Sequence, residues 1–239
     1  MNKIIKFLSG ENIYLRPFNE LLDLELFHFG ENNPEVRETL FLHSPLSKNE
    51  AKEKMEEWIS KSENKIFAIC ETESNTPIGI TGLYRIDYVS RVAVFYIAIY
   101  NPEFWSKGYG RETTKLVLNY SFDILNLNRI ELHVSTANIK GVKAYESAGF
   151  VIEGTLREAM YHNNEYIDFY VMGILRKEYY KEKWKIRSMS FRNDRKQKAR
   201  FHWVESGFFY LDTNISCLTY FSNCILIDLL KFPNFIVAM

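Results

Sequence analysis

Cysteine is scarce: Cys70, Cys217 and Cys224 are the only three in 239 residues. Three irregularly spaced thiols build neither a disulfide framework nor a four-ligand zinc site, so no metal is expected. An excess of charge of one sign is also missing. The chain carries 30 Lys and Arg against 30 Asp and Glu, which leaves no overall electrostatic footprint for nucleic acid. Long apolar runs are absent too. No stretch of about 18 uncharged apolar residues predicts a membrane span. Met1 to Phe7 carries Lys3 and Lys6 but lacks the apolar segment of a secretory signal. The expectation is a protein of a reducing compartment, the cytoplasm.

What is present is enough apolar material for a packed core: 46% of residues are hydrophobic and 25% are charged. The zero balance hides an asymmetry. Residues 1–184 carry 22 basic against 26 acidic residues, and residues 185–239 carry 8 against 4. Composition shifts at the same place, from the basic run Lys181 to Arg200 into an aromatic- and Leu/Ile-rich end without a clear period. We expect a domain over residues 10–180 and a C-terminal extension of unknown role over 181–239. Arg187, Arg192, Arg195, Lys196, Lys198 and Arg200 could touch RNA, an acidic partner or a membrane surface, or simply form a solvated linker. The apolar end could pack on the domain, support a homodimer, or be appended sequence without a selected function.

Along the domain, Asn12 to Arg16 alternates as a short strand ended by Pro17. Leu22, Leu26 and Phe29 recur at helical spacing, and Asn32-Asn33-Pro34 breaks that helix. Ser47 to Glu50 is a capping box, opening a helix with Ala51, Met55, Trp58 and Ile59 along one stripe. Lys65 to Glu71 and Pro77 to Ile86 read as strands. Arg91 to Tyr100 is so uniformly apolar that it predicts a central strand covered on both faces. A helix follows Gly108-Tyr109-Gly110, a strand spans Arg129 to Ser135, and a short helix ends at Gly149. Two strands, Val151 to Met160 and Tyr166 to Leu175, flank a turn at His162 to Glu165. The order predicts a mixed α/β sheet that is not doubly wound.

Two segments carry chemistry. Ser106-Lys107-Gly108-Tyr109-Gly110-Arg111 opens a helix, where free backbone N–H groups and the positive dipole end favour an anion and glycine lets a phosphate approach the main chain. Glycines before a helix also serve as plain turn residues, and the sharper nucleotide motifs are missing: Thr113 stands where a dinucleotide fingerprint needs its third glycine. The second segment, Asn138 to Phe150, places Asn138 after a strand, Tyr145 two turns into a helix, and Gly149 at the helix end.

Together these segments resemble the GNAT superfamily of N-acetyltransferases. The resemblance runs from about Asn12 to Lys177 and is strongest from Arg91 to Gly154. NPEFWSKGYGRE and ANIKGVKAYESAGFVIEG are most similar to the ribosomal-protein alanine and spermidine acetyltransferase branches. It implies a GNAT-like α+β fold: a largely antiparallel, twisted mixed sheet with splayed central strands flanked by helices. It implies acetyl-CoA as co-substrate, with the pantetheine arm along Ala98, Ile99 and Tyr100 and beside Asn138. The pyrophosphate cradle falls on Ser106, Lys107, Gly108, Tyr109, Gly110 and Arg111, and Tyr145 corresponds to the acid that protonates the leaving thiolate. The acceptor is then a primary amine: a protein N-terminus, a polyamine or another small amine.

Two positions depart from the pattern. Trp105 stands where the cradle often begins with Gln or Arg. Phe95 stands where these branches often carry a Glu, so the usual carboxylate base is missing. His133 is the best replacement, because strand alternation puts it on the polar face with Glu131, and imidazole changes charge between about pH 5 and 8. A structural histidine bonded to a neighbouring strand is the competing reading. Asp87 and Glu35, both in loops, are lesser candidates. Direct attack needs no covalent nucleophile, so Cys70 reads as a small buried residue. Loss of the base also admits a second class of function, a non-catalytic acyl-CoA-binding or interaction module.

Overall fold

The computed structural model describes residues 5–181 and 183; the basic run beyond them and the aromatic tail, with Cys217 and Cys224, lie outside. Eight strands form one sheet: β1 (Leu8–Ser9), β2 (Ile13–Pro17), β3 (Lys65–Glu71), β4 (Pro77–Asp87), β5 (Val92–Ile99), β6 (Arg129–Ser135), β7 (Val151–His162) and β8 (Glu165–Leu175). Their spatial order is β1-β2-β3-β4-β5-β6-β8-β7. The helices are α1 (Glu20–Asn32), α2 (Pro34–Leu40), α3 (Lys48–Ser60), α4 (Tyr109–Asn119) and α5 (Ile139–Ala148). All neighbouring strands run antiparallel except β5 and β6. The expected mixed sheet is the one observed.

Period-two alternation divides the core between the two faces. Ile13 and Leu15 of β2 pack with Ile69, Val117 and Leu118 on one side. Tyr14 between them packs with Ala68, Cys70, Phe27, Ala51 and Met55 on the other. β5 serves both cores, giving Ala93 and Phe95 to the first and Ala98 to the second. Its apolar run is explained by that double duty.

The face of α1 differs from the one its leucines predict. Leu22 and Phe29 are 63% and 51% exposed, while Asp23, Phe27, Gly30 and Glu31 are buried. Buried charge is tolerated only when paired, and both acids are. Arg16 clasps Asp23 with two bonds of 2.6 and 2.8 Å, and Glu31 accepts from the Tyr100 hydroxyl at 3.0 Å and pairs with Lys54. Gly30 is required by close approach: a Cβ there would lie 2.0 Å from the Tyr100 ring. The Asn32-Asn33-Pro34 break is also a start. Asn33 Oδ1 accepts from Glu35 N and Val36 N at 2.9 and 3.2 Å, with Pro34 in the first turn of α2. The capping box of α3 forms as expected.

The main irregularity is at the centre of the sheet. β5 and β6 pair only through Val92, Ala93 and Val94 against Arg129, Ile130 and Glu131. Beyond them β5 stays with β4 as far as Ile99, and β6 stays with β8 as far as Ser135. The strands therefore splay, and the β6-facing edge of Phe95 to Ile99 has no strand partner. Among the described residues no helix is long and apolar enough to cross a membrane.

Candidate active site

A cleft of about 570 Å³ opens where β5 and β6 part. Phe95 to Ile99 form one wall and Leu132 to Ser135 another. The starts of α4 and α5 contribute Ser106, Gly108, Gly110, Arg111, Asn138, Lys140 and Gly141, and α2 with its C-cap contributes Val36, Thr39, Leu40 and Phe41, joined by Phe169 of β8. Nine of the sequence-derived positions thus meet in one place: Ala98, Ile99, Ser106, Gly108, Gly110, Arg111, His133, Asn138 and Tyr145.

The start of α4 can accept an anion. Gly108 sits at φ 87°, and no side chain caps the helix, so its first N–H groups are left for a ligand. The acidic residue of that first turn is held elsewhere: Glu112 accepts from the backbone of Glu11 and Asn12 at 2.6 and 2.9 Å. Arg111 lines the cleft. Lys140, which sequence reasoning passed over, reaches Ser106 Oγ at 3.3 Å and brings a second cation to the same spot.

Three expected ligand residues lie outside the lining. Lys107 turns its ammonium over the Phe104 ring at 4.8 Å, and the Tyr109 hydroxyl donates to Glu71 at 2.7 Å. Tyr100 is fully buried; its hydroxyl is engaged by Glu31 and its N–H donates to Ile78 at 2.9 Å. The Tyr100 side chain thus turns into the opposite core, and its N–H faces β4. Trp105, the departure in the cradle, donates its indole N–H to the Ile99 carbonyl at 2.9 Å and so ties the loop to the splayed strand.

Asn138 caps α5, its Oδ1 accepting from Gly141 N at 2.9 Å. Tyr145, two turns later, stands edge-on to Phe95 and Phe150 at 6.2 and 6.0 Å between centroids. Burial pushes its phenol up to about 12, so it keeps its proton throughout the neutral range. His133 is exposed on its strand and lines the same cleft. No side-chain hydrogen bond ties it to a neighbouring strand among the described residues, unlike the structural reading of it. Phe95 is 4% exposed and packed in the core, a phenyl where a carboxylate was sought. Asp87 accepts from Val89 N and Ser90 N in its own turn, and neither it nor Glu35 lines the cleft. Among the described residues no group of three His, Cys, Asp or Glu is placed to hold a metal.

Comparison with known proteins accounts for this arrangement. The family model described as an acetyltransferase (GNAT) domain matches residues 12–151. A spermidine N(1)-acetyltransferase of Vibrio cholerae is 37% identical over 157 residues, covering 66% of this chain and 90% of that one. One from Escherichia coli K12 is 31% identical over 175 residues, covering 73% and 91%. The V. cholerae spermidine N-acetyltransferase solved with CoA and spermine superposes with a TM-score of 0.65 at 35% identity, covering 71% of this chain and 99% of that one. The uncapped start of α4, with Arg111 and Lys140 beside it, is chemically suited to an anion, and the unpaired edge of β5 to a group that offers amide hydrogen bonds. The chain belongs to the GNAT acetyltransferase family and transfers the acetyl group of acetyl-CoA to a primary amine.

Proposed function

We propose that the acceptor is a polyamine of the spermidine class. The observation that carries this reading is the apolar stretch of wall made by Val36, Leu40, Phe41 and Phe169, which suits methylene segments; the spermidine acetyltransferases among the relatives support it. A peptide would bring amide groups to a wall whose hydroxyl, on Thr39, already donates to the Val36 carbonyl at 2.8 Å. The test is acetylation of a panel of spermidine, spermine, simple monoamines and peptides with free N-termini. Spermidine should exceed every peptide in kcat/KM by at least about tenfold; a peptide preferred over both polyamines would overturn the reading.

Bound acetyl-CoA supplies an activated acetyl thioester. As the amine nitrogen forms the new C–N bond and the C–S bond breaks, one proton must leave nitrogen and one must reach sulfur. Tyr145 is assigned the second proton, because its phenol is loaded and faces the cleft. His133 is assigned the first, directly or through water. Ser106, Gly108, Gly110 and Arg111, with Lys140, are assigned the pyrophosphate, and Ala98, Ile99 and Asn138 the pantetheine arm.

The cradle makes its own prediction. Replacing Gly108 with Val forces a β-branched residue into φ 87°, which costs about 1–3 kcal/mol, although nothing lies within 4 Å of the new Cβ. That open space is where the phosphate is expected. Acetyl-CoA affinity, measured by titration calorimetry, should fall at least about tenfold, equivalent to about 1.4 kcal/mol. Unchanged affinity in a folded Gly108→Val protein would remove the cradle from this loop.

A further inference from the structure

A polyamine carries more than one ammonium, and the cleft lining includes no carboxylate among the described residues. Glu38, in the same α2 turn as Thr39 and Leu40, reaches across to the tip of the β7–β8 hairpin. Its Oε2 is bonded to His162 Nε2 at 2.7 Å and accepts from Asn163 Nδ2 at 3.2 Å. The His162 ring stands edge-on to Phe41 at 5.1 Å, and Phe41 lies 5.4 Å from Phe169. Both phenylalanines belong to the cleft wall, so the contact runs unbroken from the cleft to this carboxylate.

The hairpin is built to hold that contact. Asn163 and Asn164 both take left-handed backbone, at φ 50° and 65°, the geometry of a tight two-residue turn. Tyr161 donates to Asn164 Oδ1 at 3.2 Å across its base. Glu38 is thus fixed through one oxygen, while its other oxygen has no partner among the described residues and the side chain is 59% exposed. The hydrogen bond from His162 holds its carboxyl below the usual carboxylate range. The nearby cation Arg37 does not close the site, because its guanidinium donates to the carbonyls of Leu42 and His43 at 2.9 and 3.4 Å. A fixed carboxylate with a free oxygen, beside aromatic rings, is what an alkylammonium ion needs: charge, hydrogen bonding and a π face.

We propose that Glu38, positioned by His162 and Asn163, binds the non-reacting ammonium of the acceptor and so selects polyamines over monoamines. This rests on the polyamine reading above. The experiment compares KM for spermidine with KM for octylamine, which has a similar reach and no second ammonium. Glu38→Gln retains an acceptor for His162 and Asn163 while removing the charge, and Glu38→Lys reverses it. The position is exposed, and melting curves recorded alongside check that both variants fold. The ratio of the two KM values should shift against spermidine at least tenfold in Glu38→Gln and further in Glu38→Lys. Equal changes for both amines, or none, overturn the assignment of Glu38 and leave the polyamine reading standing. A wild-type enzyme that acetylates octylamine but not spermidine overturns the polyamine reading and this site together.

Discussion

Tyr145→Phe should lower kcat by about 10²-fold or more, the usual scale for removing an acid–base group, while leaving acetyl-CoA affinity nearly unchanged. The substitution takes away one oxygen and keeps the ring, whose edges meet Phe95 and Phe150. Packing and stability should therefore change little, which separates chemistry from folding. The phenol is suited to the role by its surroundings. Desolvation raises it to about 12, so at neutral pH it holds its proton, as a general acid must. A hundredfold loss corresponds to about 2.7 kcal/mol in the barrier. Rapid-mixing kinetics under single turnover would read the acetyl-transfer step itself. Full turnover in the variant would mean that water supplies the proton and that Tyr145 is a packing residue of α5.

The site was legible where chemistry and local geometry coincide in sequence. Gly108 before a helix, Asn138 after a strand and Tyr145 two turns beyond it are close in sequence, and local spacing fixes their placement. The β5–β6 splay is different: nothing in RVAVFYIAIY states where pairing with β6 ends. It came only with the family resemblance. The errors have a common physical source. On α1, a hydrophobicity pattern selected Leu22 and Phe29, because pattern reading treats charge as outward facing. Asp23 and Glu31 are inward because Arg16, Lys54 and Tyr100, distant in sequence, neutralise or bond them. The resemblance groups Tyr100 with Ala98 and Ile99, which line the cleft, while the Tyr100 side chain packs in the opposite core. Long-range pairing also hid Lys140 and the Glu38–His162 contact, whose partners lie 34 and 124 residues apart. The Asn33-Pro34 start of α2 was readable from its N-cap and Pro, but the preceding break masked it.

The absence of a carboxylate at Phe95 turns attention to His133, whose replacement should change the shape of the pH–rate profile and not merely its height. An alkyl amine is almost wholly protonated at neutral pH, and the nitrogen must lose a proton before its lone pair can attack. His133 is exposed on the polar face of β6, lines the same cleft as Tyr145, and makes no side-chain hydrogen bond among the described residues, so its ring is available to accept that proton. In His133→Ala the deficit should be greatest below about pH 7.5, on the order of 10²-fold in kcat/KM. It should shrink steadily as alkali deprotonates the amine without help. Raising pH removes the need for a base in the variant but adds little in the wild type, so the two profiles should converge. Profiles that stay parallel across the range, or coincide throughout, would sink the base assignment. Deprotonation would then fall to water held by backbone carbonyls along the open edge of β5. An amine whose own pKa lies lower provides the cross-check: with it, the His133→Ala deficit at neutral pH should be smaller, because less of the acceptor needs a base at all.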